Sequence, residues 1–188
     1  MFGSIENFSN NTALEDENNY QMTYEEICSF SSNLNLLISK RSLILALCSN
    51  TIESIVGYIS FIKNKTVPIL VDHSQPQDAI LKLKKLYEPE FVWMPKQKLE
   101  YFQNFEIVYS FKNYILIDLK STSKSNLNEN LALLLTTSGS TGSPKLVRLT
   151  YKNLSSNAES IIDYLKISKK DIFVKYHDIP NKNFTGPF

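Results

Sequence analysis

Short apolar runs alternate with amphipathic stretches along the first hundred residues, and this alternation restricts the possible folds more than any other feature of the chain. The runs RSLILALC (41–48), VPILVD (67–72) and FVWM (91–94) have the length of strands. The stretches between them, IESIVGYISFIKN and SQPQDAILKLKKLYEP, have helical spacing and begin near residues suited to capping, Ser49-Asn50-Thr51 and Ser74. The sequence therefore predicts an α/β fold with a mostly parallel sheet and crossover helices.

The pattern continues in the second half of the chain. YILIDL (114–119) and LALLLTT (131–137) predict two further strands of the same sheet, and the Ser/Asn/Lys-rich segment between them is interpreted as a loop. KLVRLT (145–150) predicts another short strand, and a helix is expected after it. Near the amino terminus, MTYEEICSFSSNLNLLI predicts a helix whose buried side carries Ile27, Phe30, Leu34 and Leu37.

Composition excludes several classes of protein. With 188 residues, 43% of them hydrophobic, the chain is expected to form one globular unit. Its net charge of +1 gives no field that would attract nucleic acid or an anionic membrane. Cys28 and Cys48 lack the spacing of metal ligands and are expected to be reduced core cysteines. No apolar run is long enough to span a bilayer and the amino terminus has no leader pattern, so we expect a soluble cytoplasmic protein.

The segment TTSGSTGSPK (136–145) has almost no apolar side chains, although a buried strand is predicted just before it. Glycines let the backbone bend and bring its N–H groups close to an oxyanion, hydroxyl groups can donate further hydrogen bonds, and a lysine supplies positive charge. This composition is also typical of a flexible surface loop, which is the alternative interpretation. The candidate phosphate-binding residues are Thr137, Ser138, Gly139, Ser140, Thr141, Gly142 and Lys145.

The order of these residues identifies the kind of loop. A Walker-type loop requires lysine directly after its last glycine, whereas Ser143 and Pro144 separate Gly142 from Lys145. The segment instead resembles the signature loop of the adenylate-forming (AMP-binding) enzymes, the superfamily of acyl-CoA synthetases, amino-acid adenylation domains and luciferases. The family pattern Thr-Ser-Gly-Ser-Thr-Gly-x-Pro-Lys is complete from Thr137 to Lys145.

Two earlier segments resemble the same family in the same order. The first, MTYEEI, is similar to the family's Leu-Thr-Tyr-x-Glu-Leu. The second is similar to the family's Asn-x-x-Glu and Val-Pro-x-x-Asp region, and it has the sequence ALCSNTIESIVGYISFIKNKTVPILVDHSQP. The sequence departs from the family pattern at KNKT (63–66), at Leu146 and at Tyr151. Many members carry a histidine at the position of Tyr151, so the contact that this histidine makes in them is not assigned to Tyr151. His177 is out of register with a later family histidine and is interpreted as a loop or surface residue.

The resemblance implies a two-step reaction. A carboxylate attacks the α-phosphate of Mg²⁺-bound ATP, which gives an acyl-adenylate and pyrophosphate, and a thiol of coenzyme A or of a carrier protein then captures the acyl group. The loop would hold the β- and γ-phosphates, with Lys145 balancing their charge. The resemblance assigns no catalytic residue and no metal ligand to this chain, and nothing in the sequence identifies the carboxylate.

The resemblance also leads us to expect that residues 1–188 form a partial N-terminal AMP-binding domain. The family's adenine-binding segment, its ribose-binding Asp and its C-terminal lid domain are absent from the sequence. One interpretation is an N-terminal segment of an ATP-dependent carboxylate-activating ligase that is inactive by itself, and the other is a non-catalytic binding or interaction module. In either case an incompletely covered sheet is expected to expose apolar surface and to favour self-association.

Overall fold

A computed structural model describes residues 8–38, 41–121, 126–136, 145–168 and 171–172. A 3-10 helix at Lys96–Phe102 accompanies nine strands and four α-helices in these ranges. The strands are β1 (Thr12–Glu15), β2 (Gln21–Thr23), β3 (Leu43–Cys48), β4 (Val67–Asp72), β5 (Phe91–Pro95), β6 (Glu106–Phe111), β7 (Tyr114–Asp118), β8 (Leu131–Thr136) and β9 (Leu146–Thr150). The helices are α1 (Tyr24–Leu37), α2 (Ile52–Lys63), α3 (Gln77–Tyr87) and α4 (Tyr151–Leu165).

Seven strands form one mixed sheet in the order β6-β7-β5-β3-β4-β8-β9, while β1 and β2 form a separate antiparallel pair. The four central strands are parallel, since β3 pairs with β4 and β5, and β4 pairs with β8. The strands at both ends of the sheet are antiparallel to their neighbours. The predicted α/β fold is confirmed, with its parallel strands at the centre of the sheet.

One predicted member of the parallel set, β7, runs antiparallel to both of its neighbours. Parallel pairing requires a crossover of about a dozen residues or more, usually a helix. Only Lys112 and Asn113 separate β6 from β7, and Lys112 has a φ of 49°, so the chain turns back as a tight hairpin. The length of the connection therefore sets the direction of β7.

Helices cover both faces of the central strands. The residues of β3 are buried from Leu43 to Leu47 and point alternately to the two sides, as expected for a strand covered on both faces. One side packs with α1 and α2 in a cluster that includes Ile44, Ala46, Phe30, Val56 and Trp93. The other side packs with α3 and the 3-10 helix in a cluster that includes Leu43, Leu45, Leu47, Ile80 and Phe102.

Side-chain caps explain where three of the helices begin. Thr23 caps α1 with Glu26 in a capping box, Thr51 caps α2, and Thr150 caps α4 with Asn153. Helix α3 follows Pro76 without a side-chain cap, so the predicted cap at Ser74 is wrong. In α1, Ile27, Phe30 and Leu34 are buried as predicted, whereas Leu37 lies in the last turn and is 41% exposed.

Helix α2 approaches the sheet most closely at Trp93. This side chain is 1% exposed, its Nε1 donates to the carbonyl oxygen of Glu53 at 3.2 Å, and its ring packs against Phe61 and Tyr114. Gly57 lies directly over the indole, because a Cβ at this position would be 2.4 Å from Trp93 Nε1. The missing side chain of Gly57 therefore allows the helix to pack on the indole.

We predict that Gly57→Ala destabilises the chain by about 1–3 kcal/mol, because the new methyl group overlaps a buried indole. The same change at an unhindered helical position would stabilise by roughly 1 kcal/mol through helix propensity. Urea unfolding followed by circular dichroism measures the difference. In a Trp93→Phe background, which removes Nε1, the cost of Gly57→Ala should shrink, and an equal cost in both backgrounds would contradict the proposed overlap.

Candidate functional site

The connections that leave β3 and β4 diverge. Helix α2 follows β3 on one face of the sheet, and α3 follows β4 on the opposite face. In open α/β sheets, ligands bind in the crevice at the carboxyl ends of two such strands, the topological switch point. This geometry makes the carboxyl ends of β3 and β4 the primary candidate for a ligand site.

Strand β8 brings a third carboxyl end to this place. Cys48, the last residue of β3, pairs with Asp72, the last residue of β4. Next to them, Thr136 at the end of β8 donates its hydroxyl to the carbonyl oxygen of Leu70 at 3.3 Å. We call the edge marked by Cys48, Asp72 and Thr136 the carboxyl edge.

The predicted phosphate loop connects β8 with β9 at the carboxyl edge. Thr136 pairs with Leu146, so the two ends of the loop are neighbours in the sheet. Lys145 is exposed and directly precedes β9. The other candidate residues, Thr137, Ser138, Gly139, Ser140, Thr141 and Gly142, lie outside the described residues, so their role stays a prediction.

Tyr151 lies at the opposite edge, where the parallel strands begin. Arg41 joins several segments there, with Nη1 donating to the hydroxyl of Tyr151 at 3.3 Å and to the carbonyl oxygen of Lys65. Its Nη2 donates to the carbonyl oxygens of Asn128 (2.9 Å) and Leu131. Tyr151 is therefore a structural partner of Arg41 at the far end of β9 from Lys145.

A hydroxyl network that starts from the buried Tyr114 holds the turn that follows β3. The hydroxyl of Tyr114 donates to the carbonyl oxygen of Leu47 at 3.0 Å and lies 2.7 Å from Ser49 Oγ. Ser49 Oγ also lies 3.2 Å from the hydroxyl of Thr51, the residue that caps α2. Tyr114 is 1% exposed, and burial raises the pKa of its phenol. The network fixes one side of the switch point.

The turn after β4 carries a residue that sequence reasoning missed, His73. Its backbone N–H donates to the carbonyl oxygen of Cys48 at 2.9 Å, across the end of β3. Its Nδ1 is buried and has no hydrogen-bond partner among the described residues. His177, for which the sequence predicted a loop or surface position, lies outside the described residues. The sequence does contain a histidine directly after a predicted strand. Recognising that this strand borders the switch point requires the strand order, which the structure provides.

Cys28 and Cys48 are not joined in a disulfide, in agreement with the expectation that they are reduced. Both are half-buried, and Cys48 packs against the cluster that α1 and α2 form, so they lie at the margin of the core rather than inside it. The described part of the chain contains no group of three or more His, Cys, Asp or Glu side chains that could hold a metal ion. Nor does any helix in that part combine the length and apolar character that crossing a membrane requires.

Comparison with known proteins gives a family match and similar folds. A family model described as AMP-binding enzyme matches residues 2–180. ATP-bound MatB from Rhodopseudomonas palustris has a TM-score of 0.68 at 17% identity, over 88% of this chain and 36% of that one. MenE, the O-succinylbenzoate coenzyme A synthetase of Bacillus subtilis, in complex with AMP, has a TM-score of 0.62 at 18% identity, over 88% and 45%.

A third similar structure is the adenylation domain AlmE of Vibrio cholerae in complex with glycyl-adenosine-5'-phosphate. It has a TM-score of 0.66 at 14% identity, over 89% of this chain and 37% of that one. At these identities the similarity establishes the fold. The chain spans less than half the length of each of the three structures.

We predict that Tyr114→Phe lowers stability by about 1 kcal/mol at pH 7, because the buried carbonyl oxygen of Leu47 and the half-buried hydroxyl of Ser49 each lose a hydrogen bond. Since burial raises the pKa of Tyr114 in the folded chain, its contribution is complete below pH 10 and decreases as the pH rises through the folded pKa. The variant should therefore lose less stability than the wild type above pH 10. Urea unfolding from pH 7 to 11 tests this, and equal pH slopes would contradict it. Tyr164→Phe, at an 85% exposed tyrosine, is the control and should keep wild-type stability at pH 7.

Proposed function

This chain belongs to the AMP-binding enzyme family, and from that premise we propose that it is the N-terminal segment of an ATP-dependent, carboxylate-activating ligase. In this proposal residues 137–145 bind the ATP phosphates. The observation that carries the assignment is the position of the β8–β9 hairpin, which brings Thr136 and Lys145 to the carboxyl edge beside the switch point.

The residues at this edge suit an electrostatic and positioning role. The ammonium group of Lys145 is a compact positive charge that would face the β- and γ-phosphates. As a carboxylate attacks the α-phosphate, negative charge moves onto the departing pyrophosphate, and donors fixed beside it stabilise that charge. Mg²⁺ usually binds through substrate phosphates and its own waters, so a cage of protein ligands is unnecessary for it to arrive with ATP.

The ligands of the similar structures support a nucleotide of this kind. MatB holds ATP, MenE holds AMP, and AlmE holds a glycyl adenylate. All three ligands contain an adenosine linked to at least one phosphate. For this chain we propose ATP, a carboxylic acid, and either coenzyme A or a carrier-protein thiol as acceptor, in the cytoplasm. Both acceptor classes stay within the proposal, because one relative is a coenzyme A synthetase and another is an adenylation domain.

A second candidate function is a non-catalytic binding module that associates through α4. This helix has no buried residue, and Ile161, Ile162 and Leu165 on it are 45%, 48% and 56% exposed. Exposed apolar side chains of this kind favour association with another chain, including a second copy. A dimer in light scattering that Leu165→Lys dissociates, together with no binding of ATP or pyrophosphate, would favour this candidate over the ligase.

We predict that Lys145→Ala weakens binding of ATP or pyrophosphate by about 1.5–3 kcal/mol, because a charge-assisted contact is lost. Isothermal titration calorimetry on the 188-residue chain measures the change. Lys152→Ala is the matched control, since Lys152 is exposed in the first turn of α4, at the far end of β9. Equal affinities of the wild type and Lys145→Ala would remove Lys145 from the site, and a wild type that binds neither ligand would contradict the phosphate-binding role.

A further inference from the structure

A tight turn after β4 holds His73 in a fixed position at the carboxyl edge. The N–H of Gln75 donates to the carbonyl oxygen of Asp72 at 3.1 Å, which closes a β-turn with His73 and Ser74 at its centre. The N–H of Ser74 also donates to Asp72 Oδ1 at 2.7 Å. The bond from His73 N–H to Cys48 then attaches this turn to β3. The backbone of His73 is thus fixed by hydrogen bonds on both sides.

The side chain of His73 is incompletely satisfied in this fixed position. Its Nδ1 is buried, yet the described residues offer it no hydrogen-bond partner. Buried polar atoms are bonded in the great majority of cases, because leaving one unpaired costs about 1–3 kcal/mol. Since no described residue pairs with it, this ring nitrogen beside the switch point is a candidate contact for a bound molecule.

The position of His73 suggests which molecule this is. Strand β8 pairs with β4 through Leu70 and Leu135, and β9 pairs with β8, so Lys145 lies two strands away from the turn of His73. Two strand spacings are about 10 Å. An elongated anion lying across the carboxyl ends of β4, β8 and β9 would meet His73 at one end and Lys145 at the other. A polyphosphate chain has this shape and carries an acceptor oxygen on every phosphorus.

We propose that His73 is a second ligand-binding residue of this site, whose Nδ1–H donates to a phosphate oxygen of the bound nucleotide. This inference rests on the proposed function, because the phosphate chain has to lie at the carboxyl edge. It adds a contact from β4 to those expected from the loop between β8 and β9. In this arrangement both sides of the chain of phosphates are held, and the turn after β4 supplies a ring N–H donor where Lys145 supplies charge.

Two substitutions at His73 separate the hydrogen bond from the packing of the ring. His73→Leu removes the donor, and we expect the dissociation constants for pyrophosphate and ATP, measured by calorimetry, to increase about tenfold. His73→Asn places an amide N–H near the position of Nδ1 and should remain within about threefold of the wild type. Gln75→Ala, at an exposed position of the same turn, is the matched control and should bind like the wild type. Urea unfolding shows whether each variant is folded.

A spectroscopic measurement on the wild type keeps the test independent of the variants' stability. The ¹⁵N resonance of His73 Nδ1 should shift when pyrophosphate is added, whereas a purely structural histidine would keep its resonance. Wild-type affinity in His73→Leu, equal weakening in His73→Leu and His73→Asn, or an unchanged Nδ1 resonance would each overturn the inference. If Lys145→Ala still weakens binding in those cases, the proposed function stands without His73, and a wild type that binds neither ligand overturns both.

Discussion

The guanidinium group of Arg41 is the contact on which the geometry of the candidate site depends. Only two residue pairs, Ile69 with Leu134 and Leu70 with Leu135, define the register between β4 and β8. Arg41 supplements this short pairing from the start of β3, because it binds carbonyl oxygens just before and within β8 as well as the hydroxyl of Tyr151. Hydrogen bonds of a charged donor are stronger than neutral ones. The registers of β8 with β4 and of β9 with β8 place Lys145 at the carboxyl edge.

The burial of β3 on both faces produces the second half of the site. The helix that leaves β3, α2, and the helix that leaves its neighbour β4, α3, pass to opposite faces of the sheet, which is how both sides of an apolar strand become covered. That arrangement necessarily leaves a crevice where the two connections separate. His73 and the Tyr114 network line the start of the two connections, so the core packing and the candidate binding site have a common origin.

The sequence predicted those features that depend on local pattern. Continuous apolar runs gave β3, β4, β5, β7 and β8, and helical spacing gave α1 to α4, because burial requires apolar side chains at those intervals. Strand β6 and the direction of β7 were missed, since a two-residue hairpin rather than composition sets them. The loop motif predicts Lys145 as a phosphate contact because the residues of the motif are contiguous, and that role stays a prediction. His73 was not predicted because its proposed role depends on strand order, which brings residues from separate segments together.

The pairing of β8 with β4 also affects the order in which the molecule assembles. The bond from Thr136 to Leu70 joins residues 66 positions apart, whereas β3 and β4 are connected by a single helix and β8 and β9 by one short loop. Closing a long segment has an entropic cost that local contacts do not have, so distant pairings form late and slow the folding of the chain. Pairing β8 with β4 therefore carries a larger entropic cost than pairing β3 with β4. The carboxyl edge contains all three strand ends only when this long-range pairing is made.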